Sequence, residues 1–466
     1  METETAVPAR PKIPVHMHYD PLPGDIGLFT RAELERAGIP GVAVGVIADG
    51  HWYAGGYGVT SLDNPLSVTP ETLFQVGSTS KTYCASAVMA LVEDGKLDVE
   101  ATVRTYIPSF RLRSEDDAAR VTIRHLLTHH GGWVGDYFKD MGANDDALEQ
   151  MTEKMADAPQ VTPAGHAFSY SNAGFNVLAR LVEVAGGEPF VNFVERRFLQ
   201  PLGHSQTTYW GDQAMVHRFA MGHLEQPSGP PRVSSFFRIN RSIAGSSGVI
   251  SSVVDQLGWA AFHMGDGAGM VQRSTLASMQ ETQAEAGSMC ESFGFGWMLD
   301  TVGGHRLVKH GGSINGQLSS FEFIPSLGYA CTVLTNCDAG RDVRDTVAAR
   351  CLELFTGLER TLPEPDPSLV RSLPELAGSY KQRMVELEVM VDSDSLVLRD
   401  RQAAWIAAIE PRPSEPPQSV LKLFAPDRAV VISGAHRGET AEFLRDGAGK
   451  VAFMRWDGRL SARITP

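Results

Sequence analysis

The run Phe74-Gln75-Val76-Gly77-Ser78-Thr79-Ser80-Lys81 leads a strand-like apolar segment into a helix. Beyond Ser80 the apolar residues Val88, Leu91 and Val92 recur at helical spacing, and Gly95 sits where a helix would stop. A serine at a helix start has free backbone N–H groups and the positive end of the helix dipole beside it. Lys81, three residues on, lies on the same face about one turn away. A lysine accepts a proton only when burial or a neighbouring cation lowers its pKa. Ser78 and Lys81 are therefore a candidate nucleophile and a candidate base. The same spelling at Ser419-Val420-Leu421-Lys422 falls in a strand-like run, where positions i and i+3 face opposite sides, and is set aside.

Two further motifs follow along the chain. Tyr170-Ser171-Asn172 is the only Tyr-x-Asn present and precedes an amphipathic run from Phe175 to Val184 closed by Gly186-Gly187. A tyrosine between cations can relay a proton, and an asparagine can hold a lysine and a substrate amide; the plainer alternative is a capped helix start with a packed tyrosine. His310-Gly311-Gly312 lies on or just after the short strand His305 to Lys309, and glycines there would let a substrate backbone approach the strand edge. Other His-x-Gly spellings, at His129, His130, His263 and His436, lack that setting.

The elements around these motifs define an architecture. Gly41 to Ile47 and His51 to Tyr57 flank Asp49-Gly50 and predict a β-hairpin. Residues from about 100 to 290 read as mostly helical. Ser319 to Ile324 and Tyr329 to Leu334 predict a second hairpin, and Val343 to Phe355 a helix. Strands at both ends of a unit with helices between them imply one sheet built from distant segments. Residues 1–24, rich in proline, read as an irregular arm, and residues 25–360 as one catalytic unit with a helical lobe. Thr361 to Pro367, with alternate prolines, opens an extended linker spanning 361–373. In 374–466 the period becomes two: Val385, Leu387, Val389 and Val391 alternate with Glu386, Glu388 and Met390, and Val451 to Trp456 behaves similarly. That predicts a small antiparallel barrel or sandwich.

Taken together and in this order, Ser-x-x-Lys, Tyr-x-Asn and His-x-Gly resemble the motifs of the serine β-lactamase and penicillin-binding-protein superfamily. The histidine in the third motif resembles its branch of D-aminopeptidases, D-alanyl-D-alanine carboxypeptidases and β-lactamase-like esterases. His125-Leu126-Leu127-Thr128-His129, Ala244 to Ser252 and Gly294-Phe295-Gly296-Trp297 resemble further landmarks of the family, although His130 and Gly131 replace its usual Thr-Ser. The resemblance implies an α/β (α+β) fold: an antiparallel sheet flanked by helices, an all-helical lobe, and then a lipocalin-like β-barrel beginning near Ala377-Gly378-Ser379-Tyr380.

The resemblance also implies the roles. Ser78 would be acylated, and Lys81 and Tyr170 would share the proton work, with either as the base. Asn172 would orient Lys81 and substrate, His310 would hold Tyr170 or the leaving group, and the N–H groups of Ser78 and Ser313 would form the oxyanion hole beside Gly311 and Gly312. No cofactor or metal is implied. The expected activity is hydrolysis of small amides, peptides or esters. Transfer of the acyl group to an amine, including peptide cyclisation, is an alternative, and a catalytically silent binding or sensor protein is another.

The remaining features exclude other classes. Among 466 residues, 43% are hydrophobic and 21% charged, which excludes a disordered chain, and the net charge of −14 with no basic cluster argues against nucleic acid. Nucleophile-elbow, zincin and dinucleotide motifs are absent. The five cysteines are scattered and fit buried thiols in a reducing compartment. Met1-Glu2-Thr3-Glu4 precedes no apolar h-region, and no apolar stretch suits a membrane span, so a cytoplasmic location is expected. His16 and His18 could bind a metal or be surface imidazoles. His129 and His130 read as loop packing, Trp133 and Tyr137 as pocket lining or packing, and Phe236-Phe237 as core or lid.

Overall fold

The computed structural model describes residues 18–226, 228–237, 240–404, 418–434 and 436–464. An eight-stranded sheet is formed by β1 (Asp20–Pro21), β2 (Gly41–Ala48), β3 (His51–Gly58), β4 (Ser292–Phe293), β5 (Met298–Val302), β6 (His305–Ile314), β7 (Gln317–Ile324) and β8 (Tyr329–Thr335). Their order is β1-β3-β2-β8-β7-β6-β5-β4, so the N-terminal hairpin pairs with the last strand to be made. The β2–β3 turn is the predicted two-residue one: Ala48 pairs with His51, and Asp49 and Gly50 both have positive φ, as a type I′ turn requires.

Period-two patterning sorts the central strands between two cores. Val42, Val44 and Val46 face one side, with Cys331 and Val333 of β8. There they meet α1 (Gly24–Ala37) through Ile26 and the helix Arg341–Thr356 through Val343 and Val347. Ala43 and Ile47 face the other side, toward the helical segment of the chain. Gly45 makes room there for Leu257, since a Cβ on it would lie 3.1 Å from that side chain.

Two helices organise this second core. They are α2 (Ser80–Glu93) and, in the helical segment, α3 (Asn172–Gly186). Trp259, on the helix Val253–Met264, stacks on Tyr83 of α2 with ring centroids 4.1 Å apart and donates its indole N–H to Thr82 Oγ1 at 2.9 Å. Replacing this fully buried ring by alanine should cost about 3–5 kcal/mol, read as a lowered denaturant midpoint for unfolding.

After the sheet and its helices, eight antiparallel strands between Gly378 and Arg463 close into a barrel. Its interior is filled by Leu387, Leu398, Leu421, Val431, Phe443, Met454 and Trp456. Val385, Leu387 and Val389 point inward as the alternation predicts, whereas Val391 is exposed near the strand end.

Two boundaries differ from the sequence expectation. Asp20–Pro21 pairs with β3, and α1 begins at Gly24, so regular structure is present inside the segment read as an arm. The segment read as an extended linker is anchored to the barrel. Asp366 N donates to Leu423 O at 2.8 Å, Pro367–Ser372 forms a 3-10 turn, and Leu373–Leu376 forms a short helix whose Leu373 and Leu376 join the barrel core. Alternate prolines keep residues 361–366 out of regular structure, but Leu373 and Leu376 find apolar partners that composition alone did not reveal.

Candidate active site

Ser78 lies in the 3-10 turn Gly77–Thr79 that runs into α2. The turn is pressed against β6. Gly77 has φ +52°, and a Cβ there would come within 2.7 Å of Ser313 N. A Cβ on Gly312 would overlap Val76 O and lie 2.6 Å from Ser78 N. Glycine at both positions lets the amides of Ser78 and Ser313 meet at one backbone junction, which suits stabilisation of an oxyanion. Thr79 Oγ1 and Ser319 Oγ, 2.9 Å apart, and the bond from Ser319 Oγ to Val76 O at 2.7 Å, tie the same turn to β7.

Lys81 is buried, with Nζ 2.9 Å from Ser78 Oγ, 2.5 Å from Asn172 Oδ1 and 2.9 Å from Ser246 O. Burial drives its pKa well below that of a free lysine. The cation of Arg459 acts in the same direction, and Asp136 opposes both. Nζ donates to all three oxygens. When the amine is neutral, the two carbonyl oxygens, which can only accept, keep its two N–H groups, and the lone pair is left for the Ser78 hydroxyl. Asn172 is held in the orientation this needs, because its Nδ2 donates to Asp136 Oδ1 at 2.6 Å and a carboxylate can only accept.

Tyr170 is buried beside this group. Burial raises its pKa, and a hydrogen bond with Ser78 and the cation of Arg459 work against the rise, so its hydroxyl keeps its proton. Its ring centroid lies 4.9 Å from both Lys81 Nζ and the Arg459 guanidinium carbon. His129 braces the motif: its Nδ1 accepts from Ser171 N at 2.9 Å, and its ring sits 4.3 Å from that of Tyr170, among Phe168, Phe175 and Phe293.

His310 sits within β6, the first of its two expected placements, because Asn315-Gly316 makes a two-residue turn that carries the strand on to Ile314. Its ring centroid is 6.2 Å from that of Tyr170. Nδ1 donates to Gly311 O at 2.8 Å, and Nε2 has no partner among the described residues. No hydrogen bond joins it to Tyr170, and the other expected role, holding the leaving group, stays open to Nε2. Burial first, and Lys81 second, push its pKa down to about 3, so it is a neutral imidazole with an acceptor to offer, where a lysine would offer a cation.

Other candidates pack. Trp133 and Tyr137 are in the core, Phe237 joins the Leu73, Ala214 and Ile250 cluster, and Phe236 is half exposed. His130 Nδ1 is 2.7 Å from Thr128 O. His18 is exposed and His16 lies outside the described residues. Among the described residues no three His, Cys, Asp or Glu side chains gather as a metal set.

Sequence reasoning missed two residues, Asp136 and Arg459. Arg459 comes from the barrel, where Asp457 and Gly458 turn the chain between strands Val451–Trp456 and Arg459–Arg463. Arg459 Nε donates to Asp136 Oδ2 at 2.6 Å and Nη1 to Asp457 Oδ2 at 2.8 Å. The backbone follows: Tyr170 N donates to Gly458 O at 2.9 Å, and Leu460 N to Ser169 Oγ at 3.3 Å. Burial alone would lower the Arg459 pKa, and the carboxylates of Asp136 and Asp457 outweigh it. Asp457-Gly458 signals a turn, but nothing local to it signals what the turn docks against.

Comparison with known proteins places the chain in a family. The Beta-lactamase family profile matches residues 29–353, most of the chain and all of the cluster except Arg459. The chain belongs to the beta-lactamase family. Within it, the chain is similar to "Penicillin-binding protein 4" of Amycolatopsis lactamdurans, with 29% identity over 357 residues covering 74% of this chain and 93% of that protein. It is also similar to "Unguisins hydrolase ungD'" of Aspergillus campestris (strain IBT 28561), with 25% identity over 332 residues, 68% of this chain and 62% of that one. Among solved structures, SurE with D-Leu matches with TM-score 0.72 and 23% identity over 94% of this chain and 99% of that chain, so the likeness of fold includes the barrel. A class C beta-lactamase matches with TM-score 0.61 and 20% identity over 72% of this chain and 98% of that chain. The beta-lactamase fold thus accounts for the sheet and the helical segment, and the barrel is an addition to it.

Proposed function

We propose that this beta-lactamase family member is a serine hydrolase that forms an acyl-enzyme on small amide or ester substrates, such as D-amino-acid peptides or amides and carboxylic esters. The observation that carries the reading is the buried Lys81 amine, 2.9 Å from Ser78 Oγ, with its other two acceptors already placed. Lys81 takes the Ser78 proton as Oγ attacks the substrate carbonyl carbon. The N–H groups of Ser78 and Ser313 hold the oxygen that gains the charge. Tyr170 gives its proton to the leaving amine or alcohol and recovers one from the Lys81 ammonium. Water then repeats the sequence in reverse and frees the acid. Gly311 and Gly312 leave β6 open to a substrate backbone.

Transfer of the acyl group to an amine is the second reading. It is favoured by His310, whose unpartnered Nε2 acceptor suits an incoming N–H better than a carboxylate. The five cysteines, all buried and free, are consistent with work in a reducing compartment such as the cytoplasm. Among the described residues no helix is long and apolar enough to cross a membrane.

The test is intact-mass spectrometry after a fluorophosphonate or penicillin, joined to a panel of p-nitrophenyl esters, D- and L-amino-acid amides and nitrocefin. A one-adduct mass gain with ester or amide turnover is expected. An unchanged mass with no turnover would return the chain to the silent-binder class. Product that is almost all amide in millimolar amine at neutral pH would replace the hydrolase by the transferase.

A further inference from the structure

The barrel delivers a cation to a site whose motifs all lie in the catalytic segment. Arg459 grips Asp136, Asp136 fixes the Asn172 amide, and Asn172 Oδ1 receives an N–H of Lys81, through contacts of 2.6, 2.6 and 2.5 Å. The groups facing Lys81 can be taken element by element. Cys84 on its own helix is a thiol that burial keeps protonated. His129, from the loop after Leu127, is neutral, because burial above all drives its pKa well below the usual range. Tyr170 keeps its proton, and His310 of β6 is neutral. Ser246 offers only a carbonyl. The charges left are the carboxylate of Asp136 and the guanidinium of Arg459, with Asp457 behind the latter. Lys81 and Arg459 share the Tyr170 ring, which puts them no more than about 10 Å apart in a buried space that salt screens poorly.

We infer that Arg459 is a positioning residue for the reaction proposed above, its charge cancelling that of Asp136 so that the Lys81 amine stays ready to accept the Ser78 proton. An uncancelled Asp136 would hold the proton on Lys81 through Asn172. The barrel is on this account a working part of the acylation step, supplied across 323 positions of sequence.

The sign follows. Lys81 acts as a base when deprotonated, so acylation rises with pH through its apparent ionisation. Removing a nearby cation raises that ionisation, and removing a nearby anion lowers it.

The experiment measures the rate of fluorophosphonate labelling against pH for the full chain, for Arg459→Met, for Asp136→Asn and for the double variant. Arg459→Met should move the acidic limb up by about one unit or more, slowing labelling about tenfold below the limb and leaving the high-pH plateau near wild type. Asp136→Asn should move the limb the other way. The double variant, which buries no unpaired charge and so stays measurable if Arg459→Met folds poorly, should return the limb to near the wild-type position. Equal slowing of Arg459→Met at every pH, or a double variant with a limb still displaced, would overturn the inference and mark the ion pair as a structural tie only. A wild type that is never labelled would instead overturn the serine-hydrolase reading on which the inference rests.

Discussion

Replacing Ser78 by alanine should abolish the covalent adduct and lower turnover by about 10⁶-fold, the loss typical of removing the nucleophile from a serine acyl-transfer site. The effect is large because the cluster acts as a unit. Without Oγ, the Lys81 lone pair has no proton to take, since its two other partners are carbonyl oxygens. The fold should survive, because alanine keeps the Cβ and the hydroxyl's contacts are to the catalytic side chains. The measurements are steady-state turnover of the best ester, intact mass after the fluorophosphonate, and a thermal melt. Full labelling of the alanine variant would place the nucleophile elsewhere.

Gly312→Ala should slow acylation about 10²–10³-fold, the usual loss when one oxyanion donor is misplaced. The new Cβ would overlap Val76 O and come within 2.6 Å of Ser78 N and 2.9 Å of Ser319 Oγ. Strand β6 cannot simply withdraw, because Gly312 is paired with Ser319 of β7 on its other side. The turn carrying Ser78 must yield, which separates its amide from that of Ser313. The neighbouring Gly311→Ala is the control. There the nearest atom to the new Cβ is Ser319 O at 3.1 Å, and nothing of the nucleophile's turn is close, so a loss under about tenfold is expected. Similar losses for the two variants, measured as labelling rates with the folded fraction checked by circular dichroism, would contradict this placement of the oxyanion hole.

The parts of the molecule that could be read in the chain are those whose physics is local. Ser78 and Lys81 are three residues apart and needed only a helix to bring them together. Asp49-Gly50 needed only its two left-handed residues, and period-two alternation told strand faces apart. Asn315-Gly316 carried the same local signal, and reading it would have placed His310 inside a strand. What local spacing could not convey was pairing across the chain and protonation. Asp136 looks like any loop aspartate until Arg459 reaches it, and Arg459 looks like an ordinary strand arginine near a turn. His310 has the spelling of a family motif, yet whether it is a cation or an acceptor depends on burial and on which oxygen its Nδ1–H meets.

The docking of Gly458 and Arg459 on Tyr170 and Asp136 has a consequence for how the protein comes into being. Chains emerge from the ribosome N-terminus first, and domains fold in that order. A nascent polypeptide that has already exposed Ser78, Tyr170 and His310 still lacks the cation that balances Asp136 and the carbonyl that receives the Tyr170 amide. Full reactivity near neutral pH should therefore appear only once the barrel has emerged and closed, so a half-made chain would carry Ser78 through translation in a slowed state.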